Sequence, residues 1–452
     1  MSGDNIIIAE KIAALVRELG GRTYYVGGMV RDELLGIENK DADIEVHGIT
    51  PAQLESILDS LGEKLKIGAS FGIYGLRGYD IDIAMPRTEQ ATGRGHRDFE
   101  VFVDPFLGVQ KAAMRRDFTV NALMKDVLTG EITDSFGGID DLKNGVLRHV
   151  NDKTFVEDPL RALRACQFAA RFGFEIAPET VEIMKTMSLD ALAKERVLGE
   201  LKKALLKAER PSVFFEELRK EEQLDFWFPE LKTLIGLEQP LNWHPEGDVF
   251  NHTMLVLDAA ASLKDGAENR SGFMLAALCH DFGKATTQKN ENGKITFYGH
   301  ETAGIPITET FLRRLTDETD LIKYTLNLCK LHMRPNQLAA FNSGQKALNR
   351  LFYQCVDPQG LVLLAKADAL GCKGRELNPA IQEYLQNGLA EYNKTMEKPA
   401  VLGADLIKAG LTPGAYFSEL LDYATKLRLA GTEKENALTQ TLAYAKQKGY
   451  FN

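Results

Sequence analysis

Two aspartates one residue apart, Asp41 and Asp43, follow a Gly27-Gly28 pair in the stretch YYVGGMVRDELLGIENKDADIE. Side chains at i and i+2 of a strand leave the same face, so the two carboxylates would project together. Alone they repel and raise each other's pKa; a shared Mg²⁺ reverses the balance and favours both ionised forms. Glycines without Cβ let backbone approach a phosphate closely, and N–H groups at a following helix start can point at it. A second group of chemically capable residues lies downstream: His252, the adjacent His280 and Asp281, and Asp368, each in a helix-periodic segment. Burying an adjacent His-Asp pair in an apolar helix requires a compensating charge. Mixed His and carboxylate ligation suits a divalent transition metal or Mg²⁺, and the residue types do not choose between them.

The elements that must position these residues follow from periodicity. Tyr24 to Val26 reads as a strand running into the glycine pair, then a short amphipathic segment from near Val30 to Gly36. PAQLESILDSLG has helical spacing, and KIGASFGIYGLRGYDIDIAMPR alternates with glycines as a hairpin does. Together these predict a small mixed sheet with helices on one side. Asp82, on the later strand, is either a third acid facing Asp41 and Asp43 or a surface carboxylate. Residues 87–111, polar and Gly-containing, predict a mobile surface loop. In AMRRDFTVNALM the spacing predicts a helix carrying Asp117 and Asn121 one above the other, with an N-cap role as the alternative for Asp117. FVEDPLRALRACQFAARFGFEI predicts a strongly amphipathic helix on which Asp158 and Arg161 share a face. The rest of the chain carries helical pattern.

The chain has 452 residues, enough for two to four domains, and its 44% hydrophobic and 26% charged content is that of an ordinary globular protein. No apolar run reaches the length of a membrane span, and the N-terminal segment reads as an amphipathic helix rather than a signal peptide, which predicts a cytosolic protein without membrane partners. A net charge of −10 argues against a broadly basic nucleic-acid surface but leaves room for one local basic track. The five cysteines, without a CxxC, read as reduced core residues.

The order GG, then RD, then DxD resembles the first motif of the DNA polymerase β type nucleotidyltransferases, in the class II branch that holds bacterial tRNA CCA-adding enzymes and poly(A) polymerases. RRDFTVNAL resembles that family's second motif, TDSFGGIDDLKNGVLRHV its third, EDPLR its fourth and AKERVLGELKKALL its fifth. The resemblance implies an α+β protein: a polymerase β-like head over 1–150, then an all-α neck (151–235), an HD phosphohydrolase-like domain (236–375) and a helical tail (376–452). It implies Asp41 and Asp43, with Asp82, as catalytic acids, the first two holding Mg²⁺. Gly28, Arg31, Arg116, Asp117, Asn121, Asp158, Arg161 and Arg164 are then the nucleotide-binding set. Gly137, Gly138 and Asp140 of the third motif read as structural, and the fifth-motif helix as a support without chemistry. The family's loop for adding the terminal A corresponds to residues 87–111.

The fourth-motif pair has a checkable logic. Arginine only donates and ionised aspartate only accepts. Cytosine and adenine each set an exocyclic amine beside a ring acceptor, which suits an Asp and an Arg; uracil and guanine reverse the pattern and leave buried groups unpaired. Selection of CTP and ATP then needs no nucleic-acid template. Downstream, the order H, HD, D resembles the HD metal-dependent phosphohydrolases, which implies His252, His280, Asp281 and Asp368 as metal ligands, with His300, His332 and Lys284 as further members. The expected function is addition of C, C and A to tRNA 3′ ends, with a phosphohydrolase activity in the HD domain. Competing readings are a poly(A) polymerase, disfavoured because GASFG stands where those enzymes tend to have a basic GRRF-like stretch, and an A-only enzyme. In another class stand an HD phosphohydrolase with a non-catalytic RNA-binding head and a non-catalytic tRNA-binding chaperone.

Overall fold

The computed structural model describes residues 3–38, 42–68, 73–91, 99–374 and 376–450. The chain forms two compact units: 1–208 with 213–227, and 209–212 with 228–452.

In the first unit, helix α1 (Gly3–Glu18) leads to strand β1 (Arg22–Val26), α2 (Gly28–Leu34), β2 (Ala42–His47), α3 (Pro51–Leu61), β3 (Lys64–Gly68), β4 (Ile73–Leu76) and β5 (Ile81–Ala84). With β8 (Met124–Asp126) and β9 (Ile132–Thr133) they make a seven-stranded sheet in the order β3-β4-β5-β2-β1-β8-β9. Only β2 and β5 run parallel. The helix α3 starts where it does because Pro51 cannot donate and Thr50 and Gln53 cap each other reciprocally. Alternation then separates two faces. Ala42, Ile44, Val46, Ile81 and Ile83 turn toward Ile8, Ile12 and Val16 of α1 and Leu54 and Leu58 of α3. Full burial of one such aliphatic side chain contributes about 1.5–3 kcal/mol. Asp43, Glu45 and Asp82 occupy the intervening positions and so leave the opposite face.

Three local expectations are corrected. Of the loop expected over 87–111, residues 92–98 lie outside the described residues, and the rest is not simply a loop: β6 (Arg87–Ala91) pairs antiparallel with β7 (Phe99–Val103), and α4 (Val109–Met114) follows. The polar RTEQA hid this strand because neither face alternates. The helix expected through Asp117 and Asn121 stops at Met114; Phe118 is extended and bridges His149, and Thr119–Asn121 form a 3₁₀ turn. The turn that follows is closely packed. A Cβ on Gly138, at the start of α5 (Gly138–Asn144), would lie 2.2 Å from the Thr119 carbonyl oxygen. Glycine is obligatory at position 138. Third, the helix Arg270–Cys279 ends before His280-Asp281 instead of carrying them inside. A Cβ on nearby Gly283 would come within 2.0 Å of the His300 carbonyl oxygen, so the chain turns at a close crossing.

The first unit continues through α6 (Asp152–Phe155), α7 (Leu160–Phe172), α8 (Pro178–Met184) and α9 (Lys194–Lys207). Phe118 packs edge-on to Phe155 and Phe168, joining the sheet region to these helices. The second unit is helical apart from a hairpin, Lys289–Glu291 with Lys294–Thr296, whose Asn292-Gly293 turn has both residues at positive φ. Its core holds Phe250, Phe273, Phe282 and Phe311. A smaller cluster around Leu406, Leu411, Leu420 and Ala445 closes the C-terminal helices. All five cysteines are buried and unbridged. Among the described residues no helix is long and apolar enough to cross a membrane.

Candidate functional sites

In the first unit the parallel pairing of β2 and β5 puts Asp43 directly opposite Asp82. Neighbours in register share a face, so the two carboxylates stand side by side, Asp43 half-buried and Asp82 exposed. Asp41 lies outside the described residues. The glycine pair joins β1 to α2, with Gly27 at φ 66°. Two guanidinium groups crowd it: a Cβ on Gly27 would be 3.0 Å from Nη1 of Arg116, and one on Gly28 3.3 Å from Nη2 of Arg31. Bare backbone beneath two cations suits an anion such as a triphosphate.

Behind the turn runs a buried polar chain. Arg31 donates from Nε to Asp32 at 2.8 Å and from Nη1 to Oδ1 of Asn121 at 2.6 Å, and its guanidinium lies over the Phe168 and Phe172 rings. Asn121 donates to Oδ1 of Asp117 at 2.9 Å, and Oδ2 of Asp117 accepts from Nε and Nη2 of Arg164 at 2.8 and 2.6 Å. Burial alone would raise the Asp117 pKa; Arg164 and Asn121 outweigh it and hold the carboxyl below its usual range. Arg31, Asp117, Asn121 and Arg164 therefore bind one another in this arrangement, while Arg116 faces the turn.

Asp158 caps the start of α7, accepting from Leu160 N at 3.2 Å, and its Oδ2 accepts from Arg196 Nη2 at 2.7 Å. Arg161 donates to the main-chain carbonyls of Thr154 and Arg115, at 2.5 and 2.7 Å. The first turn of α7 is thus tied to the residue preceding Arg116. Sequence reasoning missed three contributors here. Arg196 and Glu200 sit on α9, the helix read as a mere support; Glu200 lies 3.8 Å from Arg164. Glu45 lies two residues beyond Asp43, and the same period-two argument that joined Asp41 to Asp43 would have found it.

In the second unit the helices Val249–Ala261, His300–Leu315, Thr319–Leu331 and Pro358–Gly371 and the turn after Cys279 bring together His252, His280, Asp281, His300, His332 and Asp368. His252 Nε2 lies 3.1 Å from Asp368 Oδ1 and 3.7 Å from Asp281 Oδ2; His280 Nε2 lies 3.2 Å from Asp281 Oδ2. On the other oxygen of Asp281, Oδ1, stand His300 Nε2 at 3.2 Å and His332 Nε2 at 3.9 Å. The tautomers follow from the outer nitrogens. Nδ1 of His280, His300 and His332 meets the carbonyl oxygen of Ala277, Phe297 and Cys329, and a carbonyl can only accept. Each Nδ1 is therefore a donor, and each ring turns its Nε2 inward, where the neutral form offers a lone pair. Glu246 accepts from Nδ1 of His252 in the same way at 2.9 Å.

This donor set fits a divalent cation. His280 Nε2 is buried without a hydrogen-bond partner among the described residues. His300 Nε2 and His332 Nε2 face each other at 3.2 Å, a pairing met either by a proton on His300, where burial lowers the pKa but Asp281 outweighs it and raises it, or by a shared cation. Burial, reinforced by His280 and His300, pushes the His332 pKa down to about 3, so that ring stays neutral and able to ligate. Asp281 is shared by a group with His252 and His280 and a group with His300 and His332. Lys284 donates to Gln239 and lies 2.7 Å from Asp281. A cavity of about 670 Å³, lined by Lys284, Asp281, Asp368, Trp243, Phe297 and Tyr298 among others, opens over the cluster. Its size suits a small organic ligand. Sequence reasoning missed His244, Glu246 and Cys372 beside His252; WHPE, whose Glu246 stands six residues before His252, was the available signal.

Comparison with known proteins gives three family matches: the poly A polymerase head domain over residues 23–148, the probable RNA and SrmB-binding site of polymerase A over 173–235, and the HD domain over 249–371. The multifunctional CCA protein of Mannheimia succiniciproducens is 39% identical over 372 residues, covering 78% of this chain and 85% of that one. The multifunctional CCA protein of Nitrosococcus oceani is 38% identical over 365 residues, covering 79% and 86%. Among solved structures, a Thermotoga maritima CCA-adding enzyme complexed with tRNA superposes with a TM-score of 0.66 at 22% identity, over 98% of this chain and 96% of that one. A CCA-adding enzyme complexed with ATP gives 0.68 at 22% identity, over 98% and 96%. At that identity the likeness establishes the fold, an α+β head followed by helical regions.

Proposed function

The chain belongs to the family of multifunctional CCA proteins, and on that basis we propose that it adds C, C and A in turn to the 3′ end of tRNA, taking CTP and ATP as substrates. The observation that carries this reading is the Asp43–Asp82 register beside the Gly27-Gly28 turn, an acid pair adjoining a phosphate cradle. Asp43 and Asp82, with Asp41, would hold Mg²⁺, which supplies a lowered pKa at the primer 3′-hydroxyl and charge neutralisation at the departing pyrophosphate. Arg116 binds the triphosphate over the glycine turn. Asp117, Asn121, Arg31 and Arg164 act as one braced unit that sets its direction. Asp158, oriented by Arg196, accepts from the exocyclic amine of cytosine or adenine, and Arg161 donates to the ring nitrogen beside it. Residues 1–150 carry the chemistry and 151–235 the base choice.

Residues 236–375 carry a second, phosphohydrolase activity, and 376–452 complete the helical tail. His252, His280, Asp281, Asp368, His300 and His332 would hold divalent ions, either a transition metal or Mg²⁺, which supply an activated water and polarise a phosphoryl oxygen. Asp281 bridges the two groups of ligands. Lys284 stands at the cavity wall to meet a substrate phosphate.

The test incubates the full chain with Mg²⁺, each labelled nucleotide in turn, and tRNA ending at the discriminator base, at CC, or complete. Extension that halts after CCA is the expected result. A long A tail makes the protein a poly(A) polymerase, and activity on the CC-ended tRNA alone makes it an A-adding enzyme.

A further inference from the structure

Glu45 is a carboxylate that the proposed reaction leaves unused. It lies on β2, opposite Tyr24 on one neighbouring strand and Ala84 on the other, and shares its face with Asp43 two residues earlier. Unlike Asp43 it is buried, at 3% exposure. A buried carboxylate must be compensated, and two basic side chains flank this one. His47 Nε2 lies 2.8 Å from Oε1, and Nη2 of Arg116 lies 3.7 Å from Oε2. The His47 ring is itself fixed edge-on against Tyr24 with centroids 5.2 Å apart, so Glu45 is held from behind and its second oxygen turns to Arg116. The Arg116 Nη1 is the atom that a Cβ on Gly27 would meet at 3.0 Å. One guanidinium therefore touches a buried anion on one side and the glycine turn on the other.

We propose that Glu45 is a positioning residue for the incoming nucleotide: it aims the Arg116 guanidinium across the Gly27-Gly28 turn at the triphosphate. The inference rests on reading that turn as the phosphate site. At 3.7 Å the Glu45 contact is an ion pair, longer than a hydrogen bond, so it steers the guanidinium by charge without using its donors up. An arginine side chain has several rotatable bonds and would otherwise sample positions away from the turn. Glu45 does not touch the substrate; it acts through Arg116.

The experiment measures steady-state kinetics of the full chain with ATP on tRNA ending in CC and with CTP on tRNA ending in C. Glu45→Gln should raise KM for both nucleotides by roughly tenfold, leave KM for tRNA within about twofold, and leave the melting temperature close to wild type. Arg116→Ala should raise nucleotide KM at least as far. The double variant should be no worse than Arg116→Ala alone, because the carboxylate acts only through that guanidinium. Glu45→Asp, which keeps the charge on a shorter arm, should fall between wild type and Glu45→Gln, and stands in should the amide variant not fold. The proposal is overturned when the Glu45 variants leave nucleotide KM unchanged while Arg116→Ala raises it, or when the two effects multiply in full. If neither Arg116→Ala nor Glu45→Gln moves nucleotide KM, the phosphate-site reading falls and takes the proposal with it.

Discussion

Asp117 and Arg164 meet in a two-point ion pair, with one carboxylate oxygen 2.8 Å from Nε and 2.6 Å from Nη2, across the boundary between the sheet region and helix α7. Asp117 is buried, and its other oxygen is already taken by Asn121 and the Phe118 amide. Removing the arginine strands a charge rather than merely losing a contact. Arg164→Ala should destabilise the chain by about 3 kcal/mol, read as a lowered denaturant midpoint with unchanged slope. Adding Asp117→Asn should recover part of that loss.

Arg196 holds the Asp158 carboxylate at 2.7 Å from a helix that does not itself contact the base in the proposed mechanism. Arg196→Ala should loosen the orientation on which base choice depends. Discrimination of CTP over UTP should fall by roughly tenfold or more while tRNA binding holds. Competition between labelled CTP and UTP on tRNA lacking its end measures this directly, and unchanged discrimination would remove Arg196 from the selection apparatus.

The two activities should separate. His280→Ala should abolish phosphohydrolysis and lower the amount of divalent metal retained on dialysis, while CCA addition stays within about twofold. Asp43→Ala should do the reverse. Metal content by elemental analysis and the two assays on one preparation decide it.

Glu221 is buried beside the Cys166 thiol, with Sγ 3.6 Å from Oε2, and its Oε1 has no hydrogen-bond partner among the described residues. Burial, aided by Glu217, raises its pKa from 4.5 to about 8. The folded chain then binds this proton more tightly than the unfolded chain does, so the contribution is fully present below pH 4.5 and is lost as pH rises toward 8. The slope approaches 1.4 kcal/mol per pH unit. Glu221→Gln, which keeps the shape and cannot ionise, should match wild type near pH 5 and exceed its stability above pH 8 by at least about 1 kcal/mol in urea unfolding.

What was legible in the sequence was whatever a short period reveals. The alternation through DADIE marked Asp43 as a face-sharing acid and left Asp82 open between a third acid and a surface carboxylate; in the structure Asp82 is exposed and stands opposite Asp43. The helical period of FVEDPLRALRACQF located α7. Hidden were features set by contacts distant in sequence. Nothing near Asp117 announces that Gly138 packs against the Thr119 carbonyl. Nothing in ERVLGELKKALL says that Arg196 reaches Asp158. The His280-Asp281 turn likewise depends on the crossing of Gly283 with Gly304, which no local pattern encodes.

The clasp around α7 bears on how one protein could add two different bases in order. Its first turn is bonded to the Arg115 carbonyl, its second to Asp117, and its aromatic residues grip Arg31. Swinging that helix away from the phosphate cradle between additions would strip charged groups of their partners all at once. A switch from cytosine to adenine is therefore cheapest as a regrouping of a few side chains inside a rigid frame, with the growing RNA end serving as the moving part.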